Sequence, residues 1–278
     1  MILLPLLLLA QAAAPADDAP LPSLSERENA ERFERCADLA IDDPQRAIDE
    51  ASTWRMSGGS FAARQCLGLA YAQLERWVPA ATAFEQAAHE AEIARDAAAA
   101  NLWLQSGNAQ LAAGNADKAQ AAFSAALGTG ALQGLNRGEA HLDRARAMVA
   151  LGNNAGARND IDRALEFAPA DPLAWLLSAT LARRMNDLPR AQKDIDEAVK
   201  RAPDDASVAY EAGVIALKSG AEGAARAAWK GAIAAQPGSP AAKASEQALT
   251  QLDGGVTQSP VAATPTQPAV EKPAPAGR

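Results

Sequence analysis

The chain has 278 residues, which is enough for two average domains or for one elongated array of repeats. Only 4% of the residues are aromatic and alanine is abundant, which favours a thin layer of closely packed helices over a thick globular core. The formal net charge of -8 at pH 7 disfavours nucleic acid and anionic lipid as partners, because both are negatively charged.

The first residues predict export. Residues 1–14 read MILLPLLLLAQAAA, an apolar run that is shorter than the roughly 20 residues needed to span a bilayer. Ala10 and Ala12 form a small-x-small cleavage site after Ala12. We therefore expect a signal peptide at residues 1–12, a periplasmic or secreted protein, and no stable membrane insertion. The alternative is the apolar end of a cytoplasmic protein, since no Lys or Arg precedes the run.

The two ends of the remaining chain predict segments without a packed core. Residues 13–24 are rich in Ala, Pro and Asp and are interpreted as a linker. Residues 253–278 contain five prolines among Ala, Thr and Gln. Because proline removes helix hydrogen bonds and little apolar surface is left to bury, we expect this Pro/Ala-rich tail to be disordered.

Between these segments, from residue 25 to residue 252, the sequence repeats. Several columns recur at intervals of 34 residues, and a common register across columns indicates an internal duplication. The columns are Pro169/Pro203/Pro237, Gly152/Asn186/Gly220, Ala157/Ala191/Ala225, Ala164/Ala198/Ala232 and Ile161/Ile195/Trp229.

The middle copy shows what one unit contains. Asp171 is a suitable N-cap for a helix whose first residue is Pro172. Asn186 then ends this helix, since asparagine tolerates left-handed backbone geometry and glycine replaces it in the flanking copies. A second helix starts at Leu188 and ends before Pro203. Each unit is therefore predicted to be a helix-turn-helix.

A 34-residue helix-turn-helix with this pattern resembles the tetratricopeptide repeat family. The resemblance implies an all-α, right-handed superhelical solenoid of about six units over residues 25–252, closed by a capping helix that starts at Pro240. Two copies depart from the family pattern, with Ala145 and Ala179 where glycine is usual. The matching positions are Leu67, Gly68, Tyr71, Phe84 and Ala87; Trp103, Gly107, Ala119, Phe123 and Ala126; and Gly213, Ala225, Trp229, Ala232 and Pro237.

The resemblance also implies that the first helices line a concave groove that receives a peptide or helix. The partner is expected to be a protein or peptide segment, acidic and amphipathic, because basic side chains stand out on this face of an acidic chain. The alternative is that the leucines only pack against neighbouring repeats. The predicted groove residues are Leu104, Asn108, Leu142, Arg146, Leu176, Arg183, Arg184, Tyr210 and Lys218.

No pattern of catalytic or metal-binding residues stands out. Carboxylates at residues 160, 162, 194, 196 and 197 alternate with Lys and Arg, which is typical of a solvated helix face and not of an acid-base pair. His89 and His141 lie in no Cys/His cluster, so we expect neither metal nor cofactor. The favoured function is a non-enzymatic adaptor or scaffold of the cell envelope; the alternative is a solenoid that binds a small molecule or glycan.

Cys36 and Cys66 form a candidate disulfide. They lie 30 residues apart, close to one repeat length, so they should occupy similar faces of adjacent first helices. An oxidising compartment would permit the bond. The obstacle is distance, because bridged Cα atoms come within about 7 Å whereas packed helix axes lie about 8–10 Å apart. Two free thiols are therefore the alternative.

Overall fold

The computed structural model describes residues 24–255, with side chains described over residues 27–254. The predicted signal peptide at residues 1–12 lies outside this range, as do residues 13–23 of the predicted linker and residues 256–278 of the predicted tail. Residues 24–255 form thirteen helices and no strand. Within this range, no helix combines the length and the apolar character that crossing a bilayer requires.

The helices form two compact units that divide between Gly114 and Asn115. Those of the first unit are α1 (Leu24–Asp42), α2 (Pro44–Met56), α3 (Ser60–Gln73), α4 (Trp77–Ala94) and α5 (Ala98–Ala112). Those of the second unit are α6 (Ala116–Gly128), α7 (Gly134–Ala150), α8 (Asn154–Phe167), α9 (Pro172–Arg184), α10 (Leu188–Arg201), α11 (Ala206–Lys218), α12 (Glu222–Ala235) and α13 (Pro240–Gly255).

The second unit is built from helical hairpins, as the 34-residue period predicts. Helix α7 packs on α8, α9 on α10, and α11 on α12. The three turns are made at equivalent positions by Gly152, Asn186 and Gly220, whose φ angles of 76°, 62° and 80° are all left-handed. Asparagine replaces glycine in the middle copy because its short polar side chain tolerates this conformation better than most residues do. The predicted fold class, an all-α helical-repeat solenoid, is confirmed.

Side-chain caps fix where the helices begin. The Asp171 carboxylate accepts a hydrogen bond from the Leu173 backbone N–H at 2.9 Å, and Pro172 occupies the first turn, as predicted. The Ser239 hydroxyl likewise accepts from the Ala242 N–H at 3.1 Å at the start of α13. Each cap satisfies one of the backbone donors that a helix start leaves without an intrahelical partner.

The size of the residue at the glycine position of the first helix is complementary to the size of the residue that faces it on the second helix. A Cβ atom built on Gly213 would lie 2.3 Å from Nε1 of Trp229, so only glycine fits beside this buried indole. Where the first helix carries alanine in place of this glycine, the facing position carries isoleucine, which is smaller than tryptophan. These pairs are Ala145 with Ile161 and Ala179 with Ile195.

In the first unit, a disulfide between Cys36 and Cys66 joins α1 to α3. The Cα atoms are 6.0 Å apart, within the range that a disulfide spans. Both cysteines are buried in a cluster that includes Ala51, with Phe33 and Leu67 packed against it. Ala51 of α2 contributes to this cluster, and its small side chain leaves room for α1 and α3 to approach each other.

Candidate interaction groove

An open groove lies between α7 and α9 in the second unit; we call it the α7–α9 groove. Its wider part has a volume of about 940 Å³ and also touches the loop that joins α8 to α9. A narrower part of about 190 Å³ continues towards the C-terminal ends of both helices. Leu142, Arg146 and Leu177 line both parts, so the two form one continuous surface.

Helical periodicity brings the groove residues onto one face of each helix. On α7, Leu135, Leu142 and Val149 lie seven residues apart. On α9, Leu173 and Leu177 lie four residues apart. Spacings of four and seven keep side chains on the same side of an α-helix, so each helix presents an apolar stripe to the groove.

The wider part of the groove has an exposed apolar mouth. Leu135, Phe167 and Leu173 line it, and their exposed fractions are 54%, 36% and 51%. Three large apolar side chains that gather on one open surface form a patch of the kind that marks interaction sites.

Neighbouring side chains hold the Phe167 ring in place. The His141 imidazole stacks parallel to it, with ring centroids 6.0 Å apart. The Arg137 guanidinium lies 5.2 Å from the ring centroid, in a cation–π contact. The ring is therefore a preorganised part of the mouth.

The two ends of the groove carry opposite charges. Glu139, Asp143 and Asp171 line the part near the N-terminal ends of α7 and α9. Arg184 lines the part near the C-terminal end of α9. Arg146 lies between them and donates a hydrogen bond to the Asp143 carboxylate at 3.2 Å. The acidic end was missed from the sequence, which drew attention to the basic residues alone.

Only some of the predicted groove residues line the α7–α9 groove. Three of them, Leu142, Arg146 and Arg184, line the α7–α9 groove. On α9, Leu177 lines it, whereas its neighbour Leu176 packs against the core cluster around Ile195. The other predicted residues lie elsewhere: Tyr210 beside Trp229 on the side of α13, Lys218 exposed in the last turn of α11, and Leu104 and Asn108 on α5 of the first unit.

Arg183 forms an ion pair within the second unit. Its Nε donates to Oε1 of Glu211 at 2.5 Å, and its Nη2 donates to Oε2 at 3.2 Å. Glu211 is buried, so this two-pronged pair compensates a charge that has lost most of its water. The pair joins α9 to α11, and Arg183 adds little positive field to the groove.

Two carboxylates that the sequence analysis assigned to a solvated face are buried, and that interpretation was wrong for them. Asp160 and Asp194 have exposed fractions of only 4% and 3%. Asp196, in contrast, is exposed as expected. The recurrence of aspartate at one position of two successive repeats, next to the core isoleucine, was the signal for burial.

Asp160 is surrounded by donors. Arg144 donates from Nε to Oδ2 at 2.6 Å and from Nη2 to Oδ1 at 2.7 Å, and His141 Nδ1 lies 3.1 Å from Oδ1. Burial alone would raise the pKa of Asp160, but the hydrogen bonds from Arg144 and His141 outweigh it and hold the pKa below its usual value. The carboxylate is thus kept ionised as a structural anchor.

Asp194 makes the equivalent anchor in the next repeat. It accepts hydrogen bonds from the Ser178 hydroxyl and, at 3.3 Å, from Arg190 Nε. Arg158 in turn donates to the Ser178 hydroxyl at 2.8 Å. Neither Asp160 nor Asp194 lines the α7–α9 groove, so their chemistry is that of structural hydrogen bonding between helices.

Family models for the tetratricopeptide repeat match two overlapping parts of the chain, residues 138–181 and residues 176–240. The matched residues include both walls of the α7–α9 groove over most of their length. No curated protein is similar enough in sequence to count as a relative.

Solved structures of low sequence identity share the fold. The type IV pilus biogenesis factor PilW is 18% identical with a TM-score of 0.65, over 82% of this chain and 100% of PilW. PilF of Pseudomonas aeruginosa is 13% identical with a TM-score of 0.61, over 81% of this chain and 99% of PilF. YrrB, a tetratricopeptide repeat protein with an unusual peptide-binding site, is 18% identical with a TM-score of 0.52, over 75% and 98%.

Proposed function

Because the chain is a tetratricopeptide repeat protein, we propose that it is a non-enzymatic adaptor of the cell envelope that binds a segment of a partner protein in the α7–α9 groove. The observation that carries the proposal is the gathering of Leu135, Phe167 and Leu173, all exposed, on one open groove. Helical-repeat solenoids use such elongated surfaces for binding. The peptide-binding site of YrrB supports the same class of function.

The groove has the anatomy of a peptide-binding surface. Its apolar floor, formed by Leu142 and Leu177, offers burial to partner side chains, and its charged rim can orient them. Arg146 and Arg184 support the expectation of an acidic, amphipathic partner at that end of the groove.

Location in the envelope rests on two supports. Residues 1–12 have the pattern of a signal peptide with a cleavage site after Ala12. The Cys36–Cys66 disulfide agrees with an oxidising compartment, since disulfides are rare where thiols are kept reduced. The proposed adaptor would therefore act in the periplasm or outside the cell.

Site-specific cross-linking in the producing cells tests the proposal. A photoreactive amino acid replaces Leu173 at the mouth of the groove, and in a control it replaces Ala227, an exposed residue of α12 that lines none of the groove. We expect a discrete cross-linked protein from the envelope fraction at Leu173 only. Mass spectrometry should map the cross-link to one segment of that protein.

A second variant shows whether the apolar floor is responsible. Leu177→Asp places a carboxylate on the floor, and the cross-link at Leu173 should then disappear while circular dichroism remains helical. Cross-linking of equal yield at Ala227, or cross-linking that Leu177→Asp leaves unchanged, would overturn the proposal. A small molecule or glycan that co-purifies with the chain and is lost in Leu177→Asp would support the alternative function.

A further inference from the structure

We propose that the partner segment is bipolar: it places a basic side chain beside Glu139, apolar side chains over Leu142 and Leu177, and an acidic side chain beside Arg184. This inference rests on the proposed function and specifies its ligand. It differs from the uniformly acidic partner that the basic residues alone suggest, because the groove has two charged ends of opposite sign.

The acidic end lies beside the apolar mouth, in the same part of the groove. Glu139 is exposed, and within residues 27–254 it forms no ion pair, so its charge is available to a ligand. Asp171 adds a second carboxylate, although it also caps α9 through the Leu173 N–H. A carboxylate of the partner brought to this mouth would meet like charge, and a lysine or arginine would meet opposite charge.

The basic end is equally well defined. Arg184 is exposed in the last turn of α9, and it too has no ion pair among the described residues. Arg146 is nearer the middle and is already paired with Asp143. Because Arg146 is exposed and the pair joins residues one turn apart, it is a weak competitor for a ligand carboxylate.

The helix geometry gives the distance between the two ends. Leu142 and Arg146 of α7 and Leu177 of α9 all line both parts of the groove, so Leu177 lies level with the turn of α7 from Leu142 to Arg146. Glu139 precedes these two residues by three and seven positions, and Arg184 follows Leu177 by seven positions. At 1.5 Å per helical residue, the two charged residues are about 15–21 Å apart along the groove. The partner must therefore separate its own opposite charges by a comparable length, with apolar residues between them.

Selection of peptides from a random phage-displayed library tests the inference on the full chain. The wild-type chain should enrich sequences with one basic and one acidic residue that flank an apolar pair. The Glu139→Arg variant should enrich sequences that have lost the basic residue, and the Arg184→Glu variant should enrich sequences that have lost the acidic residue. Matched controls are Glu246→Arg on α13 and Lys230→Glu on α12, both exposed and outside the groove, which should leave the selected sequences unchanged.

Synthetic peptides from the wild-type selection then give the size of the effect. Each charge reversal within the groove should weaken binding of the bipolar peptide about 2- to 20-fold at low salt, and less at high salt. Reversing the facing charge on the peptide should restore binding to the matching variant. This rescue separates a direct charge contact from a change of fold.

The outcomes distinguish the inference from the function on which it rests. Selection of uniformly acidic or neutral peptides that bind wild-type chain and fail to bind Leu177→Asp would overturn the bipolar ligand and keep the groove. Equal preferences of wild-type chain, Glu139→Arg and Arg184→Glu would overturn it as well. No enrichment above that of the Leu177→Asp chain would instead overturn the proposed function itself.

Discussion

The fit between Gly213 and Trp229 predicts that Gly213→Ala damages the fold and that a smaller residue at position 229 repairs it. Alanine at position 213 would put Cβ 2.3 Å from Nε1 and 2.4 Å from Cδ1 of an indole that is 2% exposed. The indole cannot move freely, since its Nε1 also donates to the Tyr210 carbonyl oxygen at 3.2 Å. The two preceding hairpins already show the repaired combination, alanine facing isoleucine.

The expected magnitudes follow from the packing. Overpacking of a core costs about 1–3 kcal/mol, against which alanine gains about 0.5–1 kcal/mol over glycine within a helix. Gly213→Ala should therefore lower the free energy of unfolding by roughly 1–2 kcal/mol. Trp229→Ile alone should lower it by about 2–4 kcal/mol, because it leaves a cavity. The double variant should be more stable than the sum predicts, by about 1–3 kcal/mol.

Urea unfolding followed by far-ultraviolet circular dichroism measures these differences. Amide hydrogen exchange in α11 and α12 would show whether the change is local, because repeat arrays open unit by unit. Gly231→Ala is the matched control: this glycine lies within α12, and a Cβ there would meet nothing within 4 Å. It should stabilise the chain by about 0.5–1 kcal/mol.

Two results would refute this reasoning. If Gly213→Ala behaves like Gly231→Ala, the indole does not constrain position 213. If the free-energy changes of the two single variants add up to that of the double variant, the alanine–isoleucine pairing in the other repeats has no steric basis.

Three further predictions concern polar and covalent links. Arg183→Met should destabilise the chain by about 3–5 kcal/mol in thermal unfolding, since it leaves the Glu211 charge buried alone, and adding Glu211→Met should recover most of the loss. Reduction of the Cys36–Cys66 disulfide should lower the stability of the first unit by about 3–4 kcal/mol for a 30-residue separation, and two free thiols in unreduced protein would contradict the bond. Asp160→Asn should destabilise most near neutral pH: because the folded-state pKa of Asp160 is depressed, its contribution is present above the unfolded pKa of about 3.9 and is lost as the pH falls further. Unfolding at pH 7 and pH 3 measures that difference.

The parts of the fold that depend on the backbone were predictable from the sequence. The left-handed turn at Asn186 and the helix starts at Pro172 and Pro240 each follow from one local preference repeated at a fixed interval. The alanines at the helix crossings, together with the isoleucines that recur after 34 residues, indicate which face of each helix is buried. Such signals are local or periodic, so a single sequence contains them.

The side-chain chemistry of the groove was less accessible to sequence reasoning. Glu139 and Arg184 are 45 residues apart in the chain, and only the stacking of α7 beside α9 places them on one surface. Phe167 was missed because it ends a second helix, whereas the resemblance to the repeat family predicts a groove lined by first helices. Leu176 and Leu177 could not be separated from sequence, since both fall near the predicted face and packing against α10 and α11 decides between them.

The buried aspartates also bear on binding, because α8 holds both walls of the groove. Arg144 on α7 pairs with Asp160 on α8, and Arg158 on α8 donates to Ser178 on α9. Buried pairs of this kind add little net stability, but they penalise any other arrangement of the helices they join. An alanine-rich core has few large side chains to set that arrangement, so we expect the spacing of the groove walls to depend on these contacts. A change at Asp160 is therefore expected to weaken ligand binding in the α7–α9 groove even though Asp160 does not line it.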